Sequence, residues 1–124
     1  MIRLLRLPLP CSKNALHIPI KCGRFTKLVR SKKARTIGEA LVAAIWLQIG
    51  GKPSRPCFTR PVSMTWTITF PDRRPRDGQN YMEHLADCLE KAGVIENDRQ
   101  IFEKHEWKHI DKDNPRVAIR IEEI

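Results

Sequence analysis

Nine residues in the middle of the chain, Val62 to Phe70, alternate without a break. Val62, Met64, Trp66, Ile68 and Phe70 are apolar, and Ser63, Thr65, Thr67 and Thr69 lie between them. Period-two alternation rich in β-branched and aromatic types makes a strand with one dry face. Pro71 ends it, because proline has no amide to give a ladder. A dry face has to be covered, and helices on either side supply the cover. Upstream, Ile37, Leu41, Ala44 and Ile45 recur at helical spacing, with Ala40, Ala43 and Leu47 widening the stripe. Thr36 with Glu39 is a capping-box pair, Ser31 offers an earlier start, and Gly50-Gly51 with Pro53 stops the helix. Trp46 packs in this reading rather than stacking on a base. Downstream, a second helix from about Gly78 to Ala92 sets Tyr81, Leu85, Cys88, Leu89 and Ala92 on one face. Asn80, Glu83, His84, Asp87 and Lys91 share the other, and Gly93 is a left-handed cap.

The ends complete the sheet. Ile2 to Leu7 reads as a first strand closed by Pro8 and Pro10, and Ile101 to His109 as a third. Asp111 to Pro115 is a turn, and Val117, Ile119 and Ile121 alternate on a last strand. The order strand, helix, strand, helix, strand, strand predicts one α+β domain over residues 1–124 with two helices on a single mixed sheet. Cys11 to Arg30 reads as a long polar loop carrying Lys13, Lys21, Arg24 and Lys27. A long basic loop suits wrapping a phosphate backbone.

Charge narrows the partner. Met1 to Pro71 holds thirteen Lys and Arg against one acid, Glu39, whereas Asp72 to Ile124 holds ten against thirteen acids. The halves carry +12 and −3, giving the net +9. So lopsided a distribution points to a polyanion, nucleic acid above all, rather than to a merely soluble surface. Cys11, Cys22, Cys57 and Cys88 have no C-x-x-C pair and no zinc spacing with the histidines, so reduced thiols in the cytoplasm are expected. No run approaches the roughly 20 apolar residues of a membrane span, and the opening MIRLLRLPLP is too short and proline-broken for a signal peptide. No membrane partner is expected.

The chemistry concentrates between Pro71 and Gln100. Arg73, Arg74 and Arg76 form a basic turn, Asp77 heads the second helix, and Glu96-Asn97-Asp98 follows its end. If that loop folds back beside Asp77, two carboxylates meet among guanidinium groups. Mg²⁺ takes hard oxygen ligands and is commonly held by one or two carboxylates plus substrate phosphate, and guanidinium pairs bidentately with phosphate. One arginine of the turn pairing with Asp72 would leave the others free. Asp87 either supports the site or pairs with Lys91, and Asn80 holds the turn or a ligand by hydrogen bonds. His84 reads as a surface residue in preference to a proton shuttle.

These stretches together resemble the RusA family of Holliday junction resolvases, often carried by phages and prophages. Leu7-Pro8-Leu9-Pro10-Cys11-Ser12 with Asn14 is similar to its proline-rich turn. Pro71-Asp72-Arg73-Arg74 with Arg76-Asp77 and Asn80 is similar to its basic turn and first acidic motif. Asp87, Leu89 and Lys91-Ala92-Gly93 fit its second helix, and Asn97-Asp98 with Gln100-Ile101 its second acidic loop. The resemblance covers most of the chain. It implies a homodimer, Mg²⁺ or Mn²⁺ with no small-molecule cofactor, and paired nicks across a four-way DNA junction in recombination and repair.

Two positions depart from the family pattern. Gln79 stands where a second aspartate is normal, and Glu83 where a lysine is. One consequence is a weakened or inactive nuclease that still binds DNA. The other follows from spacing: Gln79 and Glu83 are four apart and so neighbours on one helical turn. The acidic cluster is then expected to be Asp77, Glu83 and Asp98, with Gln79 offering a neutral oxygen. A small RNA-binding protein is disfavoured, because the aromatic-rich strand motif is missing.

Overall fold

The computed structural model describes Ile2 to Ile124. Six strands and two helices follow one another: β1 (Ile2–Leu7), β2 (His17–Cys22), β3 (Phe25–Arg30), α1 (Lys32–Ile49), β4 (Val62–Phe70), α2 (Gln79–Ala92), β5 (Ile101–Ile110) and β6 (Arg116–Glu123). Single 3₁₀ turns at Lys13–Ala15 and Asp98–Gln100 interrupt the loops. The main sheet runs β1-β6-β4-β5. β4 pairs parallel with β5 and antiparallel with β6, and β6 pairs antiparallel with β1, so the sheet is mixed as expected.

The alternating strand is the sheet's keel. Val62, Met64, Trp66, Ile68 and Phe70 are all buried, as are Val117, Ile119 and Ile121 of β6 and Leu5 and Leu7 of β1. Leu41 and Ile45 of α1 and Leu85, Cys88, Leu89 and Ala92 of α2 close the core. Burial of that kind stabilises the fold by about 25 cal/mol per Å² of apolar surface, more than any other interaction in such a domain. Trp46 packs against the core, its indole N–H donating to the Ala92 carbonyl at 2.9 Å. Gln48 caps the free edge of β1 at Arg6: its amide oxygen accepts from the Arg6 amide (2.8 Å) and its amide nitrogen donates to the Arg6 carbonyl (2.7 Å). Capping an edge in this way removes a template for unwanted pairing.

Three expectations change. Cys11 to Arg30 is not a loop: β2 and β3 form a separate antiparallel ribbon, and Cys11, Leu16 and Ala34 make a small second core at its base. The polar composition hid a strand pair that has no dry body beneath it to impose a clear alternation. α1 starts at Lys32, with the Ser31 hydroxyl accepting from the Ala34 amide at 3.0 Å, so the earlier cap is the one used. Its stripe is narrower than predicted, and Leu47 is 86% exposed. Finally, His84 is not on the surface but 3% exposed beneath α1. α2 is covered on two sides, and the Cys11 amide needs an acceptor, which His84 Nδ1 provides at 2.8 Å. Gly93 caps α2 with φ +81°, as its position predicted.

Candidate active site

The connection between parallel β4 and β5 runs through α2, and the candidate site lies along that crossover. It begins with the basic turn. The Asp72 carboxylate accepts from the Arg74 amide (3.0 Å) and from Arg76 Nη1 (2.7 Å). The Arg76 hydrogen bond, and then the Arg74 amide, hold the Asp72 carboxyl below the usual carboxylate range, and Asp72 in turn raises Arg76. The Arg76 guanidinium also stacks 5.0 Å from the Phe70 ring centroid, and its carbonyl accepts from Lys108 Nζ at 2.8 Å. Arg76 is thus a strut of the turn. Arg73 and Arg74 are exposed, and Arg74 only grazes Asp72 at 3.8 Å. The turn and β5 enclose a hollow of about 240 Å³ with Lys108 and His109 at its other wall.

Asp77 opens α2. Its Oδ1 accepts from the Gln79 amide at 3.0 Å, and its carbonyl accepts from the Asn80 amide at 3.0 Å, which fixes where the helix starts. A carboxylate at this end also meets the positive pole of the helix. Gly78, at φ −59°, leaves room for the Glu106 carboxylate: a Cβ there would make the end of that side chain swing aside. Glu106, half-buried on β5, is pinned in turn by the Trp66 indole N–H at 3.3 Å. At the far end of α2, Asn97 and Gln100 form a capping box over the 3₁₀ turn, and the Asp98 amide donates to Glu90 Oε1 at 2.7 Å. Gln100 Nε2 ties the turn to the Phe58 and Arg60 carbonyls, both at 2.9 Å.

Those anchors bring Gln79, Glu83 and Asp98 to one cleft of about 240 Å³, with Met82 and Ile101 in its wall and Lys104 entering from β5. None of Glu83, Asp98 and Lys104 has an ion-pair partner within 4.0 Å among the described residues. Asp77 does not line that cleft. Its capping bond holds it at the helix head beside Gln79, with Oδ2 making no hydrogen bond among the described residues. Among those residues no three His, Cys, Asp or Glu side chains group closely enough to hold one ion, so the expected Asp77, Glu83 and Asp98 cluster is not closed in this structure. The donor set of the cleft is two free carboxylates and an amide oxygen, which fits Mg²⁺ that keeps several waters and takes the rest of its shell from substrate phosphate.

Other predicted residues lie elsewhere. Asp87 pairs with Arg30 at 2.5 Å and not with Lys91, so it anchors the ribbon to α2. Asn80 sits half-buried in the first turn of α2. Lys13 is exposed on the first 3₁₀ turn, and Lys21, Arg24 and Lys27 are exposed on the ribbon, away from the cleft lining. Sequence reasoning missed Lys104 and Glu106. Lys104, Glu106 and Lys108 recur at period two and therefore share the α2 side of β5, but both faces of that strand are polar, so alternation alone could not say which set faces the helix.

The comparisons with known proteins bear on the same residues. The family model described as "Endodeoxyribonuclease RusA" matches residues 23–122. The chain belongs to the RusA family. The match starts in the turn of the β2–β3 ribbon and takes in the basic turn, α2, the acidic loop and β5 with most of β6. Among RusA relatives, a "Crossover junction endodeoxyribonuclease RusA" of Aquifex aeolicus (strain VF5) is 37% identical over 113 residues, covering 91% of this chain and 84% of that protein. Among the described residues no helix is long and apolar enough to cross a membrane.

Proposed function

We propose that the protein is a Mg²⁺-dependent endodeoxyribonuclease that resolves four-way DNA junctions, acting as a homodimer in the cytoplasm during recombination and repair. The observation that carries this reading is the cleft in which Gln79, Glu83 and Asp98 meet Lys104 inside the segment matched to the RusA family. Glu83 and Asp98 would hold the ion and Gln79 would add a neutral oxygen, while Asp77 stays at the helix head beside Gln79, outside the cleft lining, with one oxygen uncommitted. When bound, the metal supplies a Lewis acid for the phosphoryl oxygen and a water of lowered pKa. Mn²⁺ meets the same donor set.

The chain's own residues supply the rest. Arg73 and Arg74, exposed and free of strong pairs, are available to grip the phosphodiester bidentately. Lys104 is a cation free to face the charge that develops on the leaving oxygen, the kind of stabilisation worth most in catalysis. It answers, from β5, for the cation that Glu83 displaces on α2. Two-fold symmetry would present two equal clefts to a junction, giving paired nicks. A second reading, junction binding with weakened cleavage, is favoured by the absence of a closed three-carboxylate group among the described residues.

A synthetic four-way junction incubated with the protein, with and without Mg²⁺, tests both. Metal-dependent nicks near the crossover, lost in Asp98→Asn, support the nuclease. Tight junction binding with no nicks in Mg²⁺ or Mn²⁺ supports the second reading and overturns the first.

A further inference from the structure

The β2–β3 ribbon takes no part in the cleft and carries its own exposed groups. Its base is fixed by the Arg30 to Asp87 pair and by the Ser31 amide donating to the Leu16 carbonyl at 2.8 Å. Every residue of the two strands is exposed except Val29 and Arg30, which are half-buried at the base. Six residues of strand put the tip about 20 Å from that anchor. The turn is Gly23-Arg24, with Gly23 at φ +62° and Arg24 at negative φ, the pattern of a type II′ hairpin turn.

Cross-strand partners share a face. One side therefore carries Ile18 with Val29, Ile20 with Lys27, and Cys22 with Phe25. Phe25, at the tip, is 77% exposed, more than Phe102 or Trp107. Lys27 shares that side and Arg24 adjoins it in the turn, whereas Lys21, opposite Thr26, lies on the other side with Leu28; no acid precedes Glu39 in the chain. A partner that meets the Phe25 ring therefore meets Lys27 and Arg24 as well, so it must be anionic and also offer a flat apolar face. Nucleic acid with unstacked bases is both. An intact duplex keeps its base faces stacked, whereas a branch point has steps that open more readily. Apolar wedges at such steps and aromatic stacking on single bases are established modes of recognition.

We propose that the β2–β3 ribbon is a DNA-engaging arm that sets the Phe25 ring against a base face at the branch point, while Arg24 and Lys27 hold the flanking phosphates. The assignment rests on the branched-DNA reading above and adds an element to it outside the cleft. β2 also lies outside the segment matched to the RusA family.

Binding is measured without divalent metal, on a four-way junction carrying 2-aminopurine at the crossover and on a linear duplex of the same sequence. Phe25→Ala lowers junction affinity about tenfold, the scale of one base–aromatic stack, and abolishes the 2-aminopurine fluorescence change. Its duplex affinity stays within about twofold and its melting curve is unaltered, because the ring is exposed. Phe25→Trp retains both junction affinity and signal. Lys27→Ala instead weakens both substrates and lowers the salt slope by about one. If wild type prefers the junction and Phe25→Ala binds it equally well with the signal intact, the wedge is refuted and the nuclease reading stands. If wild type shows no preference for the junction, the branched-DNA reading fails and the wedge with it. If Phe25→Ala turns a dimer into a monomer in sedimentation equilibrium and leaves the 2-aminopurine signal unchanged, a second copy covers the apolar side and the proposal is overturned.

Discussion

Mild acid should loosen the joint between α2 and the base of the ribbon, and His84 is the reason. The ring is 3% exposed, and its Nδ1 accepts the Cys11 amide at 2.8 Å. Burial lowers its pKa first, the Arg30 charge lowers it further, Asp87 pulls the other way, and Lys91 adds a smaller lowering effect. The folded protein therefore holds His84 neutral, while the unfolded chain titrates near the ordinary value of 6.5. Between those two pKa values the unfolded state binds the extra proton, so stability is full above about pH 6.5 and falls as pH drops below it. His84→Ala removes the acceptor and leaves a buried amide unsatisfied, about 1–3 kcal/mol. The space vacated by the ring brings the total to about 2–4 kcal/mol. For a domain of this size that is a fall in Tm on the order of 10 °C. Thermal melts followed by circular dichroism from pH 8 to pH 5 check both parts. Wild type should lose Tm toward pH 5 along a slope that His84→Ala lacks. An unchanged slope in the variant, or a cost under about 0.5 kcal/mol at pH 8, would refute the reasoning.

Further outcomes follow from the cleft and its supports. Glu83→Gln should cut cleavage by more than about 100-fold, since a metal site supplies several kcal/mol of transition-state stabilisation, while junction affinity in a gel-shift assay stays unchanged; normal cutting would rule out Glu83 as a replacement ligand. Lys104→Ala should lower single-turnover cleavage on the order of 100-fold with little change in junction affinity, and Lys104→Arg should recover part of it. Gly78→Ala should change stability by less than about 1 kcal/mol in urea unfolding, because only the flexible end of Glu106 has to move and the φ suits alanine; a larger loss would mean that Glu106 is held rigidly.

How far the sequence reached depended on whether a segment had a dry face. Val62 to Phe70, Val117 to Ile121 and both helices announced themselves because one side of each is buried against the core. The ribbon did not: Ile18, Ile20, Phe25 and Leu28 are exposed, so burial never shaped a recognisable alternation around Pro19, Lys21 and Lys27. His84 falls on the polar side of α2 by helical angle, and only tertiary contacts with Cys11 and α1 make that side partly interior. At the site, helix spacing made Gln79 and Glu83 neighbours, and the acidic loop supplied Asp98 as a candidate for the same place. The position of Asp77 was not, because its capping bond competes locally with any distant partner. Lys104 and Glu106 were invisible for a related reason: an edge strand polar on both faces carries no mark of which residues look toward the helix. The Arg76 to Asp72 strut illustrates the converse, where an arginine of a basic turn spends its charge on the turn itself.

The most direct test of the central claim asks where the metal sits. Fe²⁺ loaded in place of Mg²⁺, with ascorbate and peroxide, generates hydroxyl radicals that cut the protein backbone beside the bound ion. The cuts should fall around Gln79 to Glu83 and around Asp98 to Lys104, should be suppressed by excess Mg²⁺, and should disappear in Asp98→Asn. Cuts confined to other segments, or a pattern that Asp98→Asn leaves intact, would contradict a cleft built from α2, the acidic loop and β5.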